Sequence, residues 1–189
     1  MRVLVTGGAG FIGGALIRRL LINYSCKVFN IDKLGYASDL TGIDSILSKA
    51  KSDDRDRYKF IKLNLINQKH LREALFSINP DIIFHLAAET HVDRSIDTPS
   101  EFINSNIIGT FNLLNVVKEF LEESSIEKRN SFRFHHISTD EVFGSLGNKG
   151  HFTESSRYQP RSPYSSSKAA SDHLVNAWHH TYGLPTIIT

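Results

Sequence analysis

The chain has little of the chemistry that holds secreted or metal-binding proteins together. Its 189 residues include one cysteine, Cys26, so no disulfide can form within the chain. We expect Cys26 to be a small buried residue between a helix and a strand. Paired cysteines and the His-Glu-x-x-His motif are absent, and neither His135–His136 nor His179–His180 has the spacing that brings two rings to one metal ion. We therefore expect no metal site.

An excess of one charge is also missing. The 22 Lys and Arg residues nearly balance the 20 Asp and Glu residues, and the net charge of +2 gives no basic surface for nucleic acid or anionic lipid. No apolar run approaches the length of a membrane-spanning helix, and Met1 leads into the first predicted strand without an export signal. We expect a soluble cytoplasmic protein without nucleic-acid or membrane partners.

Predicted strands and helices alternate along the chain, which is typical of a parallel sheet with helices on both faces. The predicted strands are at residues 3–6, 27–31, 58–63, 82–86, 132–137 and 185–189. Helices are predicted after Gly13, at 68–77, at 100–121 and around Tyr164–Lys168. Residues 33–57 form a polar stretch whose charge run at 51–57 is predicted to be a solvated loop, and 122–130 are predicted to be a polar helix end and loop. No linker divides the chain, so we predict one α/β domain over 1–189, a doubly wound sheet of Rossmann type.

The first strand runs into a glycine motif, Gly7-x-x-Gly10-x-x-Gly13, and a helical pattern follows it. Glycines at such a junction let backbone N–H groups and the helix dipole hold a pyrophosphate, so the motif predicts dinucleotide binding. Asp32 ends the second strand 19 residues after Gly13, where a carboxylate binds the ribose 2′-hydroxyl and repels a 2′-phosphate. This predicts NAD, although the neighbouring cation Lys33 leaves NADP as an alternative.

Two further motifs indicate chemistry. Tyr164 and Lys168 are four residues apart, so on a helix they share one face. There the ammonium is expected to lower the pKa of the phenol from its usual value near ~10 and make it a base for alcohol oxidation. Asp140 and Glu141 lie 23 or more residues upstream and add an acid and a base that simple oxidation does not need. They indicate a second reaction step.

These motifs together resemble the extended short-chain dehydrogenase/reductases, and within them most closely the dTDP-glucose 4,6-dehydratases. The resemblance covers essentially the whole chain and is carried by Thr6–Gly13, Asp32–Leu34, His85–Ile96, Ser138–Gly144 and Tyr164–Lys168. The Thr-Asp-Glu run at 139–141 is its most specific part, because related sugar-nucleotide epimerases lack the acidic pair. UDP-glucose 4,6-dehydratases share the run, so the nucleotide stays open between dTDP and UDP.

The resemblance implies that dTDP-glucose becomes dTDP-4-keto-6-deoxyglucose. Tyr164, assisted by Lys168, would take the proton of the 4-hydroxyl while NAD accepts the C4 hydride, and Thr139 would hydrogen-bond the same oxygen. Glu141 would then remove the C5 proton and Asp140 would protonate the departing 6-hydroxyl. The hydride would finally return to C6, so the cofactor is used and restored in every cycle.

The resemblance also implies which residues contact the ligands. Cofactor contacts are implied at Gly7, Gly10, Phe11, Ile12, Gly13, Asp32, Lys33, Leu34, Asn64, Leu65, Leu86, Ala87, Ala88, Glu89, Tyr164 and Lys168. Substrate contacts are implied at His91, Ser95 and Thr139, although the segment from His91 to Ser95 fits a purely structural loop equally well. Asn64 departs from the family pattern, because an acidic residue commonly contacts adenine there. A homodimer is implied, through the helix around Phe111–Val117 and the helix that carries Tyr164.

In the family a smaller domain follows and holds most of the sugar nucleotide. The sequence has no such segment after residue 189, so we expect a truncated chain, without its substrate domain, that has little activity by itself. Two other functions remain open: a nucleotide-sugar epimerase, and an NAD-binding module that senses or scaffolds without catalysis. The intact catalytic motifs count against the module, and the missing substrate half counts for it.

Overall fold

The computed structural model describes residues 1–147 and 150–189, without the side chains at 53 and 54. Its strands are β1 (Arg2–Thr6), β2 (Lys27–Asp32), β3 (Tyr58–Lys62), β4 (Ile82–His85), β5 (Arg133–His136) and β6 (Thr186–Ile188). They form a parallel sheet in the order β3-β2-β1-β4-β5-β6. β1 lies in the middle of the sheet. β2 and β3 extend the sheet to one edge, and β4, β5 and β6 extend it to the other. This confirms the six predicted strands and the doubly wound Rossmann-type class.

Helices cover both faces of this sheet. The α-helices of the described residues are α1 (Phe11–Asn23), α2 (Thr41–Lys49), α3 (Ser52–Arg55), α4 (Gln68–Ile78), α5 (Val92–Asp97), α6 (Pro99–Phe102), α7 (Gly109–Glu122), α8 (Ile126–Ser131) and α9 (Pro163–Tyr182). A π-helix at Ile103–Ile108 joins α6 to α7, and a 3₁₀ helix at Asp140–Phe143 follows β5.

Successive side chains of β1 point to opposite faces of the sheet and enter two hydrophobic clusters. Leu4 packs in the cluster that α4, α7 and α9 cover, whereas Val3 and Val5 pack in the cluster that α1 and Ile43 of α2 cover. Cys26 belongs to the second cluster and is buried between α1 and β2, as predicted. Burial raises the pKa of its thiol, so Cys26 acts as a small apolar side chain.

The predicted helix at 100–121 is helical throughout but changes type at its centre. The stretch 99–122 consists of α6, the π-helix and α7 without a break. Leu114 and Val117 are fully buried in the core of this chain, and Phe111 stays partly exposed and packs edge-on against Trp178. Leu114 and Val117 therefore face the core of the chain, and of these three residues only Phe111 is exposed for contact with a partner.

Two polar segments contain helices that the sequence reading missed. Residues 33–57 hold α2 and the single turn α3, and residues 122–130 hold the start of α8. In α2 only Ile43 is buried, which is too little apolar periodicity to reveal a helix. The helix α8 has no buried residue, and Ser125 caps it by accepting the Lys128 N–H, so a cap and not a hydrophobic face defines it.

Candidate active site

The carboxyl ends of the strands surround a cavity of about 450 Å³. It lies where the sheet order reverses, between β1 and β4, which is where open α/β sheets bind ligands. The turn after β1, the end of β2, the segment after β4, the end of β5 and the first turns of α9 all line it. The cavity is large enough for one small ligand or part of a larger one.

The glycine motif forms a turn that no larger residue could form. Gly7 has a φ of 75°, and a Cβ there would lie 2.5 Å from the Ala87 nitrogen, so the turn and the segment after β4 approach closely only because Gly7 has no side chain. A Cβ on Gly13 would lie 2.2 Å from the Gly7 carbonyl oxygen. The glycines thus form the turn between β1 and α1 that the sequence predicted, and pyrophosphate binding there stays a prediction.

The helix α1 starts at this turn without a side-chain cap. Gly10 is its N-cap, and no acidic residue lies in its first turn, so its leading N–H groups and its dipole are available to an anion. Phe11 and Ile12 are 91% and 62% exposed although both are large and apolar, and both line the cavity. A bound dinucleotide would cover these two side chains.

Asp32 lies at the end of β2 with its carboxylate in the cavity wall. Its Oδ2 accepts the Ala9 N–H at 3.0 Å, and its Oδ1 accepts the Leu34 N–H at 2.8 Å and the Ser38 hydroxyl at 3.3 Å. A carboxylate accepts about four hydrogen bonds. The side chain is therefore fixed in place by the protein and still has room for one hydroxyl donor.

Nearly all residues predicted to contact the cofactor line this cavity. They are Gly7, Gly10, Phe11, Ile12, Gly13, Asp32, Lys33, Asn64, Leu65, Leu86, Ala87, Ala88, Glu89, Tyr164 and Lys168. Leu34 does not; it lines a neighbouring depression, and its N–H donates to Asp32 Oδ1 at 2.8 Å. That the lining residues bind NAD stays a prediction.

Lys33 and Glu89 form an ion pair across the cavity, with 2.6 Å between Nζ and Oε1. Lys33 Nζ also donates to the Ser105 hydroxyl at 3.4 Å. Asn106 on the π-helix accepts the Glu89 N–H and donates to the Glu89 carbonyl oxygen, which fixes the backbone after β4. The positive charge of Lys33 beside Asp32 is thus partly neutralised by the Glu89 carboxylate on the opposite wall of the cavity.

Tyr164 and Lys168 lie in the first turns of α9, as their spacing predicted. Ser162 caps this helix by accepting the Ser165 N–H at 3.0 Å, and the Ser165 hydroxyl accepts the Ser162 N–H at 2.9 Å. Pro163 occupies the first helical position, where its missing N–H costs nothing. These caps fix where the helix starts and therefore how far Tyr164 reaches into the cavity.

The pKa of Tyr164 differs from the sequence-based expectation. Burial raises the pKa of its phenol, and the carboxylates of Glu141 and Asp140 raise it further, whereas a hydrogen bond with the Thr139 side chain lowers it. The net pKa is therefore raised and not lowered as the sequence predicted. Lys168 Nζ donates to the Ile137 carbonyl oxygen at 2.6 Å.

Lys168 is itself buried, and its environment makes it easy to deprotonate. Burial lowers the pKa of its ammonium to about 8, against a smaller upward effect of the Asp172 carboxylate. An ordinary lysine is fully protonated at neutral pH, but here a substantial neutral fraction exists one pH unit above neutrality. The Lys168 charge is therefore sensitive to whatever charged group approaches it.

Thr139, Asp140 and Glu141 leave the end of β5 in the direction of α9. Thr139 lines the cavity and caps the 3₁₀ helix by accepting the Glu141 N–H at 3.3 Å. Asp140 is exposed and Glu141 is half-buried, and both act electrostatically on Tyr164. Of the five predicted catalytic residues, Thr139, Tyr164 and Lys168 line the cavity, whereas Asp140 and Glu141 follow Thr139 outside that lining. The catalytic roles of all five remain predictions.

The two other predicted substrate contacts do not reach the cavity. His91 is exposed and caps α5 through its Nδ1, which accepts the Arg94 N–H at 3.4 Å. Ser95 is fully buried, and its hydroxyl donates to the Val92 carbonyl oxygen at 2.5 Å. Both residues thus stabilise α5 locally, and substrate contact by either stays a prediction.

Sequence reasoning missed several residues that define the site. Ser105 and Asn106 reach it because of the π-helix, which no apolar periodicity reveals. Asp172 could have been found, because it follows Lys168 by four residues on the same helix. It accepts hydrogen bonds from His136, Ser138 and Tyr158.

Among the side chains that the structure describes, which exclude residues 53, 54, 148 and 149, no three His, Cys, Asp or Glu are grouped so that they could hold a metal ion. None of the helices in that part of the chain combines the length and apolar character that crossing a bilayer requires.

The sheet order, the glycine turn and the Tyr-x-x-x-Lys pair define a protein of the short-chain dehydrogenase/reductase type. Comparison with protein families gives a closer assignment. The chain belongs to the family whose model is described as GDP-mannose 4,6 dehydratase, which matches residues 4–189.

Individual relatives support the same assignment. The chain is 49% identical over 189 residues to dTDP-glucose 4,6-dehydratase of Neisseria meningitidis serogroup B, covering 100% of this chain and 52% of the relative. It is 46% identical over 198 residues to the Salmonella typhimurium LT2 protein of that name, covering 100% and 53%. Dehydratase DesIV of Streptomyces venezuelae, solved with NAD and TYD bound, superposes with a TM-score of 0.85 at 38% identity, covering 100% and 54%. The chain thus spans about half the length of these relatives.

Proposed function

We propose that this chain provides the NAD-binding and catalytic half of a dTDP-glucose 4,6-dehydratase. The observation that carries the proposal is that Thr139, Tyr164 and Lys168 line one end of the cavity that starts at the glycine turn. Asp140 and Glu141 follow Thr139 directly. Relatives of that name at 46% and 49% identity support dTDP-glucose as the substrate.

NAD fits the residues of the cavity. Gly10 and the uncapped start of α1 would hold the pyrophosphate, and the free acceptor position of Asp32 would bind a ribose hydroxyl. The exposed rings and chains of Phe11 and Ile12 would pack against the dinucleotide. When bound, NAD supplies the hydride acceptor, and its reduced form supplies the hydride donor.

The first step needs a base, and Tyr164 is positioned for it. We propose that its phenolate takes the proton of the glucose 4-hydroxyl while Thr139 hydrogen-bonds the same oxygen. In the ligand-free site burial raises the pKa of Tyr164, so the base form must be favoured when the site fills. The positive charges of Lys168 and of the oxidised nicotinamide would act in that direction.

The second step uses the acidic pair. A ketone at C4 acidifies the C5 hydrogen, so Glu141 can remove it, and Asp140 can protonate the departing 6-hydroxyl to release water. Glu141 is half-buried and Asp140 is exposed, so the two carboxyl groups have different environments. The unsaturated ketone would then accept the hydride at C6, and Glu141 can return a proton to C5.

The proposal assigns residues 1–189 to a single cofactor-binding domain and the nucleotide-binding surface to a second domain. This assignment is supported by the alignment with the Neisseria meningitidis relative, in which all of this chain matches 52% of the relative's length. The turnover experiment therefore requires a form of the protein that has the full length of these relatives.

That experiment uses dTDP-glucose that carries deuterium at C4. We expect the 4-keto-6-deoxy product to carry the label at C6, because the hydride leaves C4 and returns within one active site. Tyr164→Phe is the control and should give no labelled product. Label that stays at C4 of an epimerised sugar, or is lost to water, contradicts a dehydratase. Parallel use of UDP-glucose with the same label decides between the two nucleotides.

We also propose a homodimer and a cytoplasmic location. The dimer is supported by a patch of partly exposed apolar residues where the π-helix, α7 and α9 meet: Ile108, Phe111, Trp178 and Tyr182. Large apolar patches are rarely left uncovered. Sedimentation of the protein and of Phe111→Asp tests it, since the variant should shift toward the monomer. The free thiol of Cys26 is consistent with a reducing compartment.

A further inference from the structure

Behind the predicted catalytic residues lies a buried carboxylate that their chemistry does not use. Asp172 is fully buried on α9, one helical turn after Lys168. Its Oδ1 accepts His136 Nε2–H at 3.0 Å. Its Oδ2 accepts the Ser138 hydroxyl at 2.5 Å and the Tyr158 hydroxyl at 3.0 Å. Burial of an ionised group is costly unless it is paired and hydrogen-bonded, so this cluster must compensate the charge.

The cluster connects the segments that carry the catalytic motifs. His136 ends β5, and Ser138 directly precedes Thr139, so the carboxylate fixes the exit of the strand that delivers the Thr-Asp-Glu run. Tyr158 belongs to the segment between the 3₁₀ helix and α9. Lys168 lies on the same face of α9 as Asp172, since helical residues four apart are neighbours.

We infer that Asp172 is a positioning residue, which holds Ser138 and thereby Thr139 in register with Tyr164 and keeps Lys168 charged. The inference rests on the proposed function and deepens it. Removal of the Asp172 charge alone should change the protonation of Lys168, whereas a purely structural residue would change only stability.

Other charged groups around Lys168 do not substitute for Asp172. From β4 and β5, burial keeps His85 and His136 neutral, because it lowers the pKa of His85 well below the usual value and that of His136 to about 4. Tyr158 also stays neutral, because burial and the Asp172 carboxylate raise its pKa to about 12. Asp140 and Glu141 act on Tyr164 from the 3₁₀ helix. The ionised Asp172, whose pKa lies below its usual value, is the carboxylate that raises the pKa of Lys168.

The test measures the pKa of Lys168 directly in this chain without ligands, so it does not depend on turnover. Lysine Cε signals are followed by NMR from pH 6 to 10, and Lys168→Met identifies the signal. We expect Asp172→Asn, which keeps the shape and removes the charge, to lower the pKa of Lys168 by about one unit, as loss of a nearby opposite charge does. The control Asp97→Asn removes an exposed carboxylate and should leave that pKa unchanged.

An unchanged pKa of Lys168 in a folded Asp172→Asn protein overturns the inference. Should that variant not fold, Ser138 provides the second arm in the full-length form. Ser138→Ala should lower kcat about tenfold without raising the KM for dTDP-glucose, and Ser138→Thr, which keeps the hydroxyl donor, should restore kcat. Equal kcat in wild type and Ser138→Ala would then reject the positioning role. A wild type without turnover refutes the proposed function, and the Lys168 titration still decides the role of Asp172.

Discussion

The side-chain amide of Asn106 pairs with the backbone of Glu89 in both directions. Asn106 Oδ1 accepts the Glu89 N–H at 2.8 Å, and Asn106 Nδ2 donates to the Glu89 carbonyl oxygen at 2.9 Å and to the Ser167 hydroxyl at 2.8 Å. The Asn106 side chain thus hydrogen-bonds the Glu89 backbone in the way that a neighbouring strand would. It also joins the segment after β4 to the π-helix and α9, three elements that surround the candidate active site.

Asn106→Ala should therefore destabilise the protein by about 1–3 kcal/mol, because the buried polar groups lose their partner. It should also weaken NAD binding, since the Glu89 backbone lines the cavity. Urea unfolding and calorimetric titration measure the two effects. Asn104→Ala is the matched control, because Asn104 is exposed on the same π-helix. Equal stability of the two variants would show that the pairing contributes nothing.

Asp32 should determine the choice between NAD and NADP. Its carboxylate is fixed by three protein donors and cannot move away from a 2′-phosphate without breaking those hydrogen bonds. We expect calorimetry to show tighter binding of NAD than of NADP, and Asp32→Ala to narrow the difference. Asp39→Ala, which removes an exposed acid nearby, should leave the preference unchanged. Equal or tighter NADP binding by the wild type would refute the assignment and favour a role for Lys33.

Stability should fall as the pH falls from about 6.5 to about 4. Burial lowers the pKa of His136 from 6.5 to about 4, so between these values the unfolded chain binds a proton that the folded chain does not. His136 alone should cost about 2 kcal/mol between pH 7 and pH 5. Burial lowers the pKa of His85 as well, so His85 adds to the loss. Above pH 6.5 both histidines are neutral in either state, and the effect vanishes.

Urea unfolding at pH 7 and pH 5 measures this dependence. His136→Gln should reduce the difference between the two pH values, because glutamine does not titrate. His91→Gln serves as the control, since His91 is exposed. A pH dependence that is the same in His136→Gln and in wild type would show that other groups cause it.

The order and type of the elements could be predicted from the sequence where apolar side chains repeat. The strands and the glycine turn of the site follow from residues such as Val3, Leu4 and Gly7, whose neighbours in sequence determine their structure. The Tyr164–Lys168 spacing predicted a shared helix face for the same reason. Local patterns were therefore sufficient for the sheet, the glycine turn and the shared helix face of Tyr164 and Lys168.

The missed features depend on contacts between distant segments. The π-helix at Ile103–Ile108 brings Asn106 to Glu89, 17 residues away in sequence, and no periodicity encodes that pairing. The hydrogen bond from Lys168 to the Ile137 carbonyl oxygen was also missed, because the two residues are 31 positions apart in sequence. The raised pKa of Tyr164 follows from burial, which a sequence does not show directly.

The two proposed steps of catalysis should separate in variants of the full-length form. Tyr164→Phe removes the base for oxidation, so we expect no NADH signal at 340 nm after mixing with dTDP-glucose. Glu141→Gln leaves that base in place and removes the base for C5, so NADH should accumulate in a single turnover. Glu154→Gln, at an exposed acid of the segment before α9, is the control and should behave as wild type. Accumulation of NADH in Tyr164→Phe, or none in Glu141→Gln, would contradict the step order.

The chain of 189 residues should bind NAD but turn over dTDP-glucose negligibly by itself. All the predicted cofactor contacts except Leu34 line the cavity of this chain. We therefore expect measurable NAD affinity without any residue beyond 189. Catalysis is different, because the reacting carbon must be held within about 3–3.5 Å of its partners. The chain covers 52% of its Neisseria meningitidis relative, and we propose that the remaining part orients the sugar nucleotide.

Product formation and light scattering, measured on the same sample, test both parts of this expectation. The exposed apolar surface of the chain should cause self-association, which scattering detects as a mass above 21.3 kDa. NAD titration of the same sample shows whether the sheet is folded, so an inactive but NAD-binding chain is the expected result. Robust turnover by the chain alone would show that the substrate is oriented by residues 1–189, and the proposal of a separate substrate domain would have to be abandoned.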